Sequence, residues 1–189
     1  MASEVERQRA DLLRYFDAHN LVADSERYEL SVDGLHYFTA IAYRQTDPAR
    51  NWTVCKIEIW ELETQRILAT YFSDSDTFGS AWLQRDGRDY LLLPEFSDGQ
   101  SVFDVSQKTL HSHLDPDDRF LWLAIFPSPN GRRVAVGGCY WACPFEVRVY
   151  DLGRITELPY PLLFMQHGDF EAWVDDDQVR LVGGEVVAL

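Results

Sequence analysis

The feature that most constrains the fold is a short pattern that the chain contains three times. An aromatic residue and an acid are followed by an aliphatic residue, a turn, a base and another aliphatic residue. The pattern occupies Ile59–Leu68, Val102–Leu110 and Val147–Leu158. The residues before the aromatic, Ile59, Val102 and Val149, lie 43 and 47 residues apart. A period of this length is typical of repeat architectures in which each copy forms one supersecondary unit of strands.

Three turn signals separate short apolar segments and indicate β-hairpins. Asp86-Gly87 and Asn130-Gly131 each stand between segments rich in aliphatic and aromatic residues, and Asp175-Asp176-Asp177 stands between two more. Asp-Gly and Asn-Gly supply the positive φ that a tight hairpin requires. Helical periodicity is absent after the first twenty residues, and short apolar segments recur to the end of the sequence, which is the signature of an all-β chain.

The combination of hairpin and repeated pattern resembles the blades of WD40-like and related β-propeller proteins. Trp60-Glu61, Phe103-Asp104 and Tyr150-Asp151 stand where such repeats carry a Trp-Asp pair, and the segments FPSPNGRRVAVGG and EVRVYDL give the best match. The resemblance implies that each aromatic fills space between neighbouring sheets and that each acid helps to close the turn after its strand. It covers about residues 35 to 189 and implies an architecture, not the role of any functional residue.

The number of repeats predicts the fold class. We place blades at about residues 28–72, 79–114, 121–160 and 170–189 within a single β-propeller-like domain, residues 21–189. The expected fold is all-β: a small or partial β-propeller-like array of about four antiparallel four-stranded blades, with the last blade incomplete.

A separate segment, residues 1–20, precedes the repeats and carries helical spacing. Its stripe of regularly spaced positions consists of Val5, Arg9, Leu12, Leu13 and Phe16. This spacing predicts one amphipathic helix over roughly residues 4–18, which packs through its apolar stripe.

The incomplete last blade raises the question of how its edge is protected. Its final strand contains Val186, Val187 and Leu189, with no lysine or proline to discourage pairing with another strand. Two solutions are open: an N-terminal strand such as Tyr28–Val32 closes the array, or the chain associates through the free edge. Closing a ring with fewer than four complete blades demands sharp angles between sheets, so we expect association as a homodimer.

Composition limits the partners and the compartment. The formal charge of −14 repels phosphate backbones and anionic lipids, so we expect no nucleic acid and no membrane as partners. A basic protein partner fits this charge. Three cysteines cannot pair completely, and the first residues do not read as a secretory signal, which favours a cytoplasmic location. No phosphate loop or catalytic motif is present, so no cofactor is expected.

An unusual segment, GGCYWACPF, interrupts the third repeat and contains two of the three cysteines. Tyr140 and Trp141 are the candidate binding residues of this segment. Cys139 and Cys143 are spaced like half of a metal site or a redox pair. The preferred interpretation is a loop or strand extension with buried thiols, and no metal site is assigned.

A second candidate group consists of His111, His113 and Asp115. Alternation along a strand places both histidines on one face, which is the geometry that a metal ligand pair needs. Polar side chains that face solvent explain the same pattern. We therefore name these residues as a candidate binding group and assign no catalytic residue.

Two functions from different classes follow. The first is a non-catalytic protein-binding module, which for a small acidic bacterial protein includes an inhibitor or immunity-type partner of a basic protein. The alternative is a hydrolase or metal-dependent enzyme that uses His111, His113 and Asp115.

Overall fold

The computed structural model describes residues 4–45, 53–75, 79–96, 99–140 and 144–189. Within these residues one α-helix, α1 (Glu4–Leu12), is followed by four antiparallel sheets of four, four, four and three strands. The predicted all-β fold class, with one N-terminal helix and an incomplete last sheet, is confirmed.

The strands follow chain order within every sheet. The first two sheets contain β1 (Arg27–Leu30), β2 (His36–Arg44), β3 (Thr53–Glu61), β4 (Arg66–Ser73), β5 (Ala81–Arg85), β6 (Arg88–Pro94), β7 (Gly99–Asp104) and β8 (Thr109–Leu114). The last two contain β9 (Leu121–Pro127), β10 (Arg133–Cys139), β11 (Glu146–Asp151), β12 (Leu162–His167), β13 (Phe170–Asp175), β14 (Gln178–Leu181) and β15 (Val186–Ala188).

The chain divides into two compact units. Residues 1–77 and 107–109 form the first unit, and residues 78–106 and 110–189 form the second. The first unit contains α1 and the sheet β1–β4, and the second contains the other three sheets. The predicted boundary at residue 20 and the single domain over 21–189 stay predictions.

In the first unit, the N-terminal segment packs on the sheet through fewer helical residues than predicted. The α-helix ends at Leu12, not near residue 18, and a short 3-10 turn follows. This tighter turn buries Tyr15 and leaves Leu13 exposed. Asp17 then accepts the backbone N–H of His19 at 2.9 Å and caps a second 3-10 turn, which competes with continuation of the α-helix.

In the second unit, the predicted turns close hairpins between the first two strands of each sheet. β5 pairs with β6, β9 with β10, and β13 with β14. Asp86, Gly87 and Gly131 have positive φ, as the tight turns require.

The third sheet ends with β12, beyond residue 160 where the third repeat was expected to stop. Pro159 and Pro161 lack the N–H groups that an earlier return strand would need.

Two apolar cores hold the three sheets of the second unit together. The first core lies between sheets β5–β8 and β9–β12 and includes Leu92, Trp122 and Tyr150. The second lies between sheets β9–β12 and β13–β15 and includes Val149 and Val179. Each sheet is thus buried mainly against its neighbour in sequence, as blades of a repeat architecture are.

The repeated aromatic and acid occupy the ends of the third strand of three sheets. Phe103 and Tyr150 are buried, whereas Trp60 is only half-buried. The acid after each aromatic accepts a hydrogen bond in its own turn. Asp104 accepts from the Ser106 hydroxyl at 2.7 Å, Asp151 accepts from a backbone N–H at 2.8 Å, and Glu61 accepts from the threonine hydroxyl of its turn. The turn-closing role that the resemblance implies is therefore seen in all three repeats.

The last sheet ends at β15 without a fourth strand in the part of the chain that the structure describes. No strand there pairs with the outer edge of β15, whose Val186 is exposed while Val187 packs into the second core. None of the described helices has both the length and the apolar character needed to cross a membrane.

Candidate functional site

The candidate site lies in the second unit, where β10 ends and β11 begins. Tyr140 directly follows β10, and the residue is 41% exposed. Cys139 beside it is a buried free thiol. Trp141 and Cys143, the other sequence candidates of this segment, lie outside the described residues.

A buried arginine organises the surroundings of Tyr140. Arg148 of β11 is only 2% exposed. Its Nε donates to Glu146 Oε2 at 3.2 Å, its Nη1 donates to Asp118 Oδ2 at 2.5 Å, and its Nη2 donates to the Tyr140 hydroxyl. Its guanidinium also lies 3.9 Å from the centre of the Phe120 ring. A cation removed from water is therefore satisfied by two carboxylates, a phenol and an aromatic face.

Strand alternation explains why the sequence places an arginine there. Val147 and Val149 of β11 point into the second core, so Glu146, Arg148 and Tyr150 point to the opposite face. Arginine suits this position because its planar guanidinium can satisfy several acceptors at once while it stacks on an aromatic ring.

A glycine in β10 makes room for the Phe120 ring, which packs against the Arg148 guanidinium. A Cβ atom on Gly138 would lie 1.9 Å from the backbone oxygen of Leu121 and 2.7 Å from the Phe120 ring. The pairing between β9 and β10 also shifts register at this glycine. Only a residue without a side chain allows β9 and Phe120 to approach so closely.

The surroundings of Arg148 and Tyr140 shift the pKa of both side chains. Burial alone would lower the pKa of Arg148, but its hydrogen bond to Asp118 and its interaction with Tyr150 outweigh the effect of burial and raise the pKa above the usual value. The pKa of Tyr140 is also raised, first by burial and then by its hydrogen bond to Asp118. At neutral pH the site therefore holds a charged arginine and a neutral phenol.

The ring of Tyr140 is fixed although much of it faces solvent. Its hydroxyl donates to Asp118 Oδ1 at 2.7 Å while it accepts from Arg148. Its ring meets Phe120 edge-on at 5.7 Å between centroids. The result is an exposed aromatic surface that is already held in one position.

An acidic turn borders this tyrosine. Asp115 Oδ1 accepts the backbone N–H groups of Asp117 and Asp118, each at 3.2 Å. The structure thus connects two of the sequence candidates, since the turn that Asp115 closes carries the carboxylate that holds Tyr140. On the other side, Nδ1 of the exposed His167 lies 3.7 Å from Glu146 Oε1.

The two histidine candidates lie on β8. Ser112 between them points toward Ser101, with 3.0 Å between the hydroxyl oxygens, so alternation puts His111 and His113 on the other face. Nε2 of His111 is buried and has no hydrogen-bond partner among the described residues. In the same part of the chain, the two histidines and Asp115 do not form a group of ligand atoms within 4.8 Å of one another.

Sequence reasoning missed Arg148, Asp118, Glu146 and Phe120. A signal was present: Arg148 interrupts a strand whose other central residues are apolar on both faces, and a buried charge requires partners. Its partner Asp118 lies thirty residues earlier in a turn, a distance that no local pattern specifies.

Comparisons with known proteins support the architecture. No protein-family model and no curated protein matches the sequence. Among solved structures, the chain is similar to the β-propeller domain of Cps50 (Swd1) from Myceliophteria thermophila, with a TM-score of 0.53 and 13% sequence identity. The match covers 97% of this chain and 54% of that structure, so the chain spans about half its length. The WD40-like β-propeller resemblance is thereby confirmed at the level of fold.

Proposed function

We propose that this β-propeller-like chain is a non-catalytic protein-binding module that holds a basic partner through Tyr140 and the acidic turn beside it. Propeller folds commonly serve as scaffolds for protein interactions. The observation that carries the proposal is the fixed but exposed Tyr140 ring, anchored by Asp118 and Arg148.

Two physical properties favour Tyr140 as a binding anchor. Tyrosine is enriched among the few residues that contribute most of the energy of an interface. A side chain that is already ordered in the free protein also avoids much of the entropy cost of binding. Charge supplies the preference for a basic partner, since the chain carries a net −14 and Asp118 is partly exposed beside the ring.

The other sequence candidates enter the same proposal. Trp141, which follows Tyr140 in the sequence, is proposed as a second aromatic of the contact, and Asp115 would add negative charge. His111 and His113 would extend the contact along β8. We place the protein in the cytoplasm as an inhibitor or immunity-type partner that masks a basic protein, with neither nucleic acid nor membrane as its target.

Self-association is proposed as a separate property of the open β15 edge. Val186 is exposed there, and the unpaired backbone offers a template for a second copy of the chain. Sedimentation over a concentration series tests this homodimer, and Val186→Lys should weaken it by placing a charge on the edge.

Site-specific photocrosslinking tests the binding function. A photoreactive residue replaces Pro116, which is exposed in the acidic turn beside Tyr140, so that the Tyr140 anchor stays intact. In a matched control it replaces Tyr28, which is 54% exposed in the first unit. Both proteins are expressed in the source cell, irradiated and analysed by mass spectrometry. The proposal expects one adduct with a basic protein from position 116 and none from position 28. Equal adducts from both positions, or none from position 116, would contradict it.

The buried Nε2 of His111, which has no hydrogen-bond partner in the described part of the chain, favours one second candidate, a metal-dependent hydrolase. A specific metal would stabilise the fold, by about 2.7 kcal/mol at a metal concentration 100 times its Kd. Thermal denaturation with Zn²⁺, Mn²⁺ and Mg²⁺ measures whether each metal stabilises the unaltered chain and the His111→Gln variant. Stabilisation that the substitution abolishes would support the enzyme, and the absence of stabilisation by all three metals would exclude this form of it.

A further inference from the structure

An open pocket of about 510 Å³ lies at the hairpin turns of the second and third sheets, within the second unit. The turn after β5, the turn before β10 and the turn after β11 contribute its walls. Its lining residues are Gln84, Arg85, Asp86, Asn130, Arg132 and Gly153. Two arginines and the Asn130 amide form a set of hydrogen-bond donors that is unusual on a chain of net charge −14, whereas the Gln84 amide already donates to Asp89 at 3.3 Å.

Arg85 is held rigidly in the wall of this pocket. Its Nη1 donates to the backbone oxygen of Leu152 at 2.5 Å, and its Nη2 donates to that of Gly153 at 3.3 Å. These bonds use part of the five N–H donors of the guanidinium and neutralise none of its charge. The side chain is 17% exposed, so the positive charge stays fixed at the pocket surface.

The opposite turn supplies donors that are not used internally. Oδ1 of Asn130 accepts the Arg132 backbone N–H at 2.8 Å and lies 3.0 Å from the Ser128 hydroxyl, which orients the amide. The Asn130 Nδ2 group and the Arg132 guanidinium make no hydrogen bond or ion pair within the described residues. They are therefore available to a ligand.

One acid lines the pocket, and it does not cancel these donors. The Asp86 side chain is 92% exposed, and its nearest carboxylate oxygen is 4.0 Å from Arg85 Nε, beyond hydrogen-bond distance. The lining thus carries two guanidinium charges against one solvated carboxylate. Two more carboxylates contact lining residues from outside the pocket, since Asp176 accepts the Asn130 backbone N–H at 2.9 Å and Asp151 accepts that of Gly153 at 2.8 Å. These internal bonds occupy the carboxylates and leave the Arg132 guanidinium and the Asn130 Nδ2 group unused within the described residues.

From this donor set we propose that the pocket binds an oxyanion, the phosphate or carboxylate group of a small molecule. A guanidinium recognises both groups through paired N–H donors, and Arg85 and Arg132 provide two of them. The pocket volume lies in the range of small-molecule sites, so it admits an organic anion larger than phosphate itself. This site is distinct from the Tyr140 surface and does not depend on the protein-binding proposal.

Nuclear magnetic resonance titration with inorganic phosphate tests the site, with sodium chloride keeping ionic strength constant. We expect saturable shifts of the Arg132 and Gly153 amide signals. Arg132→Gln should weaken binding by about tenfold or more, because a charge-assisted contact is lost. Asn130→Asp, which keeps the internal acceptor and replaces the free donor by a negative charge, should weaken it similarly. Arg88→Gln, at an exposed arginine of the same hairpin outside the lining, is the matched control and should change affinity less than about twofold.

A parallel titration with acetate separates the two sources of the oxyanion. Saturation by both anions supports a general oxyanion site. Saturation by phosphate alone limits the ligands of the site to phosphate compounds. Saturation by acetate alone limits the ligands of the site to carboxylates. The proposal is overturned if neither anion saturates, if chloride alone gives the same shifts, or if Arg88→Gln weakens binding as much as Arg132→Gln.

Discussion

Replacing Arg148 by methionine should destabilise the second unit strongly. The substitution keeps an apolar stem of similar length but leaves the buried carboxylate of Glu146 without its arginine, and it removes the bonds to Asp118 and Tyr140. Removing one member of a buried ion pair costs about 3–5 kcal/mol. Most of this loss should come from Glu146, since Asp118 is partly exposed and water can replace its arginine contact.

Urea unfolding followed by tryptophan fluorescence measures this loss, because Trp122 packs against Tyr150 in the same sheet. Arg154→Met is the matched control: Arg154 pairs with Glu157 in solvent, so its midpoint should not move measurably. The double variant Arg148→Met/Glu146→Leu should recover much of the loss, since it removes the stranded charge. An Arg148→Met midpoint equal to that of the unaltered chain would refute the idea that the arginine organises this site.

Two further predictions concern the aromatic residues. Phe103→Ala and Tyr150→Ala should each cost about 3–5 kcal/mol in the same unfolding experiment, and Trp60→Ala less, because its ring is half-buried; a larger loss at Trp60 would contradict the packing described. In an alkaline absorbance titration, Tyr140 and Tyr150 should ionise later than free tyrosine, because burial raises the pKa of both. Their folded pKa values lie above the unfolded value of about 10, so their contribution to stability is complete below pH 10 and is lost as pH rises through the folded values. Normal titration of all nine tyrosines without unfolding would contradict this.

The sheets could be predicted because each is specified by local signals repeated along the chain. Asp86-Gly87 and Asn130-Gly131 set hairpins through backbone preference, and the aromatic and acid pairs mark the end of each third strand. The end of α1 could not be placed, because the cap formed by Asp17 competes with a helical spacing that still looks favourable. Local signals thus fixed strand identity better than helix length.

The sequence predicted only part of the candidate site. Tyr140 stood out because aromatic residues between two cysteines are unusual, but its anchoring depends on Asp118 and Arg148, which belong to a turn and to a strand in the middle of the sheet. The pocket around Arg85 and Arg132 is likewise formed by residues that are distant in the sequence, since three separate turns supply its walls. Pairings of this kind are created by the packing of sheets and leave no spacing that can be counted.

The affinity of the crosslinked partner for Tyr140→Ala, measured at two salt concentrations, tests the central claim most directly. The account predicts that Tyr140→Ala loses at least about 30-fold in affinity, which corresponds to the 2 kcal/mol expected of a dominant interface residue. Tyr28→Ala should bind like the unaltered chain, and binding of both should weaken as salt rises, because the partner is basic. An unchanged affinity for Tyr140→Ala in a variant that remains folded would contradict the assignment of this tyrosine as the binding anchor.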